Sequence, residues 1–78
     1  MEFRLNYMSQ LSLHAQLRQR ITESIERGNL VKYSVLPSVR ELSKTLDVSE
    51  VIIKRAYDDL VENNTLVYKK GLGYIVNE

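Results

Sequence analysis

The chain begins its regular pattern after Ser12, where apolar residues recur at every fourth position. They are Leu13, Leu17, Ile21 and Ile25. This spacing places them on one face of a helix and leaves charged residues on much of the opposite face. Ser12 is a favourable N-cap residue, and the Gly28-Asn29 pair favours a left-handed stop. The pattern therefore predicts a first helix of about four turns.

Two further helical patterns follow the connector that ends at Pro37. Ser38 and Glu41 have the spacing of a capping box, which predicts the start of a second helix. Its apolar edge is Val39, Leu42 and Leu46. Asp47-Val48 is the predicted turn, and Ser49 is the predicted cap of a third helix. The apolar stripe of that helix follows helical spacing and consists of Ile53, Ala56, Tyr57, Leu60 and Val61. Two helices joined by a tight turn form a helix-turn-helix, whose second helix fits the major groove of DNA.

The remainder of the chain has the pattern of a β-hairpin. Asn63-Asn64 ends the third helix, and the segments Leu66-Val67-Tyr68-Lys69 and Tyr74-Ile75-Val76 flank a glycine-containing turn. Earlier in the chain, the connector residues Tyr33, Val35 and Leu36 are compatible with a short strand. The sequence predicts a mainly α fold with a small hairpin, a winged helix-turn-helix over residues 12–78. Residues 1–11 have no clear period and are predicted to be an N-terminal arm.

Composition limits the chemistry of the chain. It has 78 residues and a net charge of +1, so charge placement matters more than charge total. There is no cysteine and a single histidine, His14, so we expect no metal and no cofactor. No apolar run is long enough to span a membrane. Asp58 and Asp59 are adjacent and diverge by about 100° on a helix, so they form no catalytic pair and we expect no enzymatic activity.

Several segments resemble the DNA-binding domain of the GntR family of bacterial transcription regulators, over about Leu13 to Val76. They are Gln16-Leu17, Ile25-x-x-Gly28-x-Leu30, Leu36-Pro37-Ser38-Val39-Arg40-Glu41-Leu42, Leu46-Asp47-Val48-Ser49, Arg55-Ala56-Tyr57-x-x-Leu60 and Gly71-x-Gly73-Tyr74-Ile75-Val76. The YtrA-like and MocR-like branches look most similar. The resemblance implies a cytoplasmic regulator that binds double-stranded DNA as a homodimer. Any effector ligand would bind outside these 78 residues.

The same resemblance implies three DNA-contacting regions, namely Arg40, residues 49–55 and the wing residues 69–73. This chain departs from the family pattern at two of them. Glu50, Val51 and Ile52 stand in the first turn of the third helix, where the family usually has polar or basic residues. The wing tip, often basic in the family, is Leu72. The connector also lacks the usual Pro-Gly-Asp turn.

A helical wheel shows which residues of the third helix face away from its apolar stripe. Val51 and Arg55 point away from the apolar stripe, while Ile52 and Lys54 lie on opposite flanks. Arg55 is the candidate base reader, since a guanidinium can bind guanine bidentately, and Val51 and Ile52 can contact thymine methyl groups. The predicted phosphate contacts are Arg40, Ser49, Lys54, Lys69 and Lys70, and Gly71 belongs to the predicted wing contact.

Each role has a structural alternative. Arg55 and Lys54 are also typical of a solvated surface, Arg40 can pair locally with Glu41, and paired lysines protect a hairpin edge from aggregation. Glycines of the wing are equally expected in a turn. Clustered exposed apolar residues can mark a protein interface, so Val51, Ile52 and Leu72 also support a winged-helix interaction or dimerisation module.

Overall fold

The computed structural model describes residues 3–77 and has the predicted element order. Helices α1 (Leu13–Glu26), α2 (Val39–Leu46) and α3 (Glu50–Glu62) precede strands β1 (Leu66–Lys69) and β2 (Gly73–Val76). The strands pair antiparallel, with Leu66 opposite Val76 and Lys69 opposite Gly73. Three helices and a hairpin wing confirm the winged helix-turn-helix prediction. The strand expected in the connector is only an isolated bridge between Val35 and Ile75.

The three predicted serine caps are all present. The Ser12 hydroxyl accepts from the Ala15 amide, and the Ser49 hydroxyl accepts from the Val51 amide. At α2 both halves of the capping box form, since Ser38 Oγ accepts from the Glu41 amide and Glu41 Oε1 accepts from the Ser38 amide. These bonds satisfy amide groups that a helix leaves unpaired at its N-terminus. Local sequence therefore determines where each helix begins.

The turn between α2 and α3 depends on a left-handed residue. Asp47 has a φ of 56° and a ψ of 48°, and its amide donates to the Ser43 carbonyl. The Ser43 hydroxyl also donates to the Val48 carbonyl. Aspartate tolerates this conformation better than most residues, which explains why a turn forms here without glycine.

The core lies where α1 crosses α3 and where α2 and the hairpin close over them. The fully buried large side chains include Leu17, Ile21, Leu42, Ile53, Tyr57, Leu60, Leu66 and Val76. Most of them are the apolar positions that the periodicity picked out. This packing, rather than helix propensity, supplies most of the stability of such short helices. No helix within residues 3–77 is long and apolar enough to cross a membrane.

The N-terminal arm contains no helix or strand between residues 3 and 11, but it packs against the domain. Phe3 is only 5% exposed and belongs to the core. The Gln16 side chain accepts from the Asn6 amide at 2.6 Å and donates to the Asn6 carbonyl at 2.9 Å and to the Leu11 carbonyl at 2.7 Å. Tyr7 donates its hydroxyl to the Leu46 carbonyl at 2.9 Å. Single side chains, rather than the face of a helix or strand, hold the arm against the domain, so its sequence shows no hydrophobic period.

Candidate nucleic-acid interface

The outward face of α3 matches the helical wheel. Val51 is 73% exposed, and Lys54 and Arg55 are also exposed. Ile52 differs, because it is half-buried and packs against the core. Only part of its side chain is therefore available to a partner. The shallow depression on this face has a volume of about 300 Å³ and is lined by Val51, Lys54, Arg55, Asp58 and Asp59.

Asp58 connects the exposed face of α3 to the wing. Its Oδ2 accepts from Lys54 Nζ at 2.8 Å, and its Oδ1 accepts from the Tyr74 hydroxyl at 3.0 Å. The hydrogen bond from Lys54 lowers the pKa of the Asp58 carboxyl, and the bond from Tyr74 acts in the same direction. The same bond to Asp58 raises the pKa of Lys54. Both groups are therefore charged at neutral pH.

Asp59 is paired with α1 instead. Its Oδ2 accepts from Arg18 Nη1 at 2.9 Å, an ion pair that joins positions 41 residues apart. The acidic positions on α3 include Asp58, Asp59 and Glu62, and the first two are neutralised locally. Asp58 and Asp59 therefore repel a nearby phosphate less strongly than two unpaired carboxylates would. The Lys54–Asp58 pair has i,i+4 spacing and is detectable in the sequence, whereas the Arg18 contact requires the tertiary fold.

His14 lies on α1 and is half-buried. Burial lowers the pKa of His14 most, and the nearby Arg55 guanidinium lowers it further. No group of three or more His, Cys, Asp or Glu side chains within residues 3–77 is arranged to hold a metal ion.

At the start of α2, Arg40 is exposed. Its expected local partner, Glu41, is occupied by the capping box with Ser38. Among residues 3–77, Arg40 has no carboxylate within ion-pair distance. The guanidinium therefore extends into solvent from the first turn of the helix.

The wing exposes Lys69, Lys70 and Leu72, the last at 62%. Gly71 and Gly73 have φ values of 89° and 102°, so the turn requires backbone conformations that favour glycine. The conformation of Gly71 thus fits the turn role expected of the wing glycines.

Aromatic rings hold the wing against α3. The ring centroid of Tyr74 lies 4.6 Å from that of Tyr57 and 5.0 Å from that of Tyr68. Tyr57 is completely buried and its hydroxyl donates to the Pro37 carbonyl at 2.8 Å. Burial is the main cause that raises the pKa of Tyr57, so it remains a neutral donor. These ring contacts therefore fix the base of the wing on α3.

An open groove of about 650 Å³ lies between the wing, α3 and the start of α2. Its walls include Ser38, which caps α2, Lys54 and Asp58 of α3, and Tyr68 and Tyr74 of the wing. The fold thus places the start of α2, the exposed face of α3 and the base of the wing around one depression. The Tyr74–Asp58 bond was not anticipated from the sequence, because its two residues are 16 positions apart.

The model of the bacterial regulatory proteins of the gntR family matches residues 13–76. The chain belongs to the GntR family. Its winged helix is the helix-turn-helix DNA-binding domain of these regulators, and that domain recognises double-stranded DNA sequence-specifically.

Relatives and solved structures agree with GntR membership. The chain is 36% identical over 72 residues to the HTH-type transcriptional regulator YurK of Bacillus subtilis, covering 92% of this chain and 30% of YurK. It therefore spans about a third of this curated relative. The structure of YtrA, a GntR-family transcription factor from Sulfolobus acidocaldarius, is similar with a TM-score of 0.94 and 30% identity, covering 97% of this chain and 80% of YtrA.

A second similar structure contains DNA. The DNA-binding domain of AraR was solved in complex with operator ORX1, and it matches with a TM-score of 0.81 and 26% identity. The match covers 97% of this chain and 98% of that domain. The AraR domain that binds this operator is thus similar to the chain over almost its whole length.

Proposed function

We propose that this GntR domain binds an operator with α3 in the major groove and the wing along the adjacent groove. The observation that carries the proposal is the face of α3 on which Val51, Lys54 and Arg55 are exposed together while Asp58 and Asp59 are paired. The operator complexes of the similar AraR domain support duplex DNA as the partner.

Base reading is assigned to the exposed side of α3. Arg55 has no ion-pair partner within residues 3–77, so both ends of its guanidinium remain free for guanine. Val51 supplies an apolar surface for a thymine methyl group, and the exposed edge of Ile52 extends it. Together they provide a short reading surface in the first two turns of the helix.

Phosphate contacts are assigned to residues around that surface. Arg40 and Lys54 approach the backbone from α2 and α3, and Lys69 and Lys70 approach it from the wing. Ser49 also qualifies, because its oxygen accepts from the Val51 amide while its hydroxyl proton stays available to donate. Gly71 allows the wing backbone to come close to the duplex.

So few basic contacts predict weak and salt-dependent binding by one copy of the domain. We therefore propose that the full regulator acts as a homodimer on a palindromic site in the cytoplasm. Its effector, if it has one, would bind outside the 78 residues of this chain. The domain would act by binding and would catalyse no reaction.

The test is the substitution Arg55→Ala, measured on a DNA site selected from a randomised duplex pool and on random duplex. Loss of a bidentate base contact should weaken binding to the selected site by about 1–3 kcal/mol, or roughly 5- to 150-fold. Binding to random duplex should weaken much less. Arg27→Ala is the matched control, since Arg27 lines a different depression beside Phe3. Unchanged affinity for both duplexes, with the fold intact, would show that Arg55 reads no base.

A second candidate is supported by the exposure of Val51 and Leu72. Exposed apolar side chains on the predicted DNA face also suit a winged-helix interaction or dimerisation module. This candidate requires self-association that persists at high salt, when phosphate binding has weakened. Sedimentation of the domain at low and high salt separates the two. A monomer that shifts duplex DNA would argue against the second candidate.

A further inference from the structure

The lysine assigned to a DNA phosphate already has an anionic partner within the domain. Lys54 Nζ lies 2.8 Å from Asp58 Oδ2. We propose that Asp58 competes with DNA phosphate for Lys54 and so limits the sequence-independent affinity of the domain. This inference rests on the proposed function and assigns Asp58 as a positioning residue within the same surface.

The carboxylate is the better anchored member of the pair. Its second oxygen accepts from the Tyr74 hydroxyl at 3.0 Å, and Tyr74 is itself packed against Tyr57 and Tyr68. The Lys54 side chain is 63% exposed and can rotate away, whereas the Asp58 side chain is 51% exposed. DNA would therefore draw the ammonium away from a carboxylate that stays in place.

The pair can yield to DNA because it is weak. An exposed i,i+4 pair with the lysine before the acid is the less favourable order on a helix. Such a pair shifts the equilibrium between its paired and separated states by about two-fold at most. A phosphate on the duplex can replace the carboxylate at that small cost. After the exchange, however, Asp58 faces the duplex without its cation and opposes binding of every sequence.

The Lys54–Asp58 pair also has no net charge. In the free domain it therefore contributes little to the attraction of a duplex. Neutralising Asp58 would convert the pair to a single cation beside the groove between α3 and the wing. In the wild-type complex the phosphate contact of Lys54 is offset by the unpaired Asp58 carboxylate, whereas without that carboxylate Lys54 counts as one net phosphate contact, which steepens the dependence of log affinity on log salt by about 0.9. At about 0.15 M salt that slope corresponds to roughly five-fold tighter binding.

The experiment measures binding of a random-sequence duplex to the wild-type domain and to Asp58→Asn by fluorescence anisotropy over a range of salt. The asparagine keeps an oxygen that can accept from Tyr74, so the link to the wing is retained. We expect roughly five-fold tighter binding at about 0.15 M salt and a salt slope steeper by about 0.9. A purely structural role for Asp58 would leave that slope unchanged.

Two further variants separate competition from a general loss of negative charge. Glu62→Gln removes the same charge from an exposed residue of α3 that has no ion-pair partner within residues 3–77. We expect it to tighten binding by less than about two-fold. In a Lys54→Gln background the gain from Asp58→Asn should shrink to that same level, because no ammonium remains to be released.

The inference is overturned if Asp58→Asn binds random duplex no more tightly than Glu62→Gln does. It is also overturned if the gain is as large in the Lys54→Gln background. Circular dichroism of each variant checks that the fold is intact. If the wild-type domain binds neither selected nor random duplex, the proposed function itself fails. If it binds both and only the gain is missing, the failure is confined to Asp58.

Discussion

The buried hydroxyl of Tyr57 allows a direct test of how the recognition helix is held against α2. This hydroxyl donates to the Pro37 carbonyl at 2.8 Å, immediately before the Ser38 cap of α2. Tyr57→Phe removes that bond and keeps the ring, including its 4.6 Å packing on Tyr74. Because the side chain is fully buried, the phenylalanine leaves the carbonyl without its protein partner.

The expected loss in the free energy of unfolding is about 1–1.5 kcal/mol. A net hydrogen bond contributes about 0.5–1.5 kcal/mol, and an unsatisfied partner adds to the loss. Because Pro37 is half-buried, water can partly reach its carbonyl. We therefore expect the lower end of the roughly 1–3 kcal/mol that a buried unsatisfied group costs. For a domain of this size the corresponding fall in melting temperature is about 4–12 °C.

Urea unfolding followed by circular dichroism provides the assay. Tyr68→Phe is the matched control, since Tyr68 is 56% exposed and its hydroxyl has no hydrogen bond within residues 3–77. That variant should change the free energy of unfolding by less than about 0.5 kcal/mol. Equal effects of the two substitutions would refute the view that the Tyr57 bond fastens α2 to α3.

Two other predictions concern α1. Gln16→Leu should lower the free energy of unfolding by about 1–3 kcal/mol, because it removes three hydrogen bonds between the buried Gln16 side chain and the backbone of Asn6 and Leu11. An unchanged urea midpoint would contradict this. Burial and Arg55 lower the pKa of folded His14 below 6.5, so protonation favours the unfolded chain. The contribution of neutral His14 to the free energy of unfolding is complete above about pH 6.5 and is lost as pH falls through the folded pKa. The melting temperature should therefore fall less in His14→Gln than in wild type between about pH 7.5 and pH 5; equal falls would exclude His14.

Much of the fold was predictable because its signals are local. The caps at Ser12, Ser38 and Ser49 all form as the sequence indicates. A serine hydroxyl reaches an amide two or three residues away, so a cap needs no tertiary partner. The connector was less predictable, because Val35 meets Ile75 only after the hairpin has packed beside it.

The candidate DNA surface was predictable in part. Helical periodicity alone placed Val51 and Arg55 on the outward face of α3. It could not show that Ile52 is half-buried, since that depends on how the neighbouring elements close over its flank. Nor could it show that Asp59 is neutralised by Arg18, a residue on another helix.

The sequence by itself determined the elements, their boundaries and the side of each helix that is apolar. Those properties depend on backbone hydrogen bonds and side-chain spacing within a few residues. Only the tertiary structure decided which charges are paired and how the wing is attached. The Tyr74–Asp58 and Arg18–Asp59 contacts join residues far apart in the chain, so they exist only once packing of the core has brought their elements together.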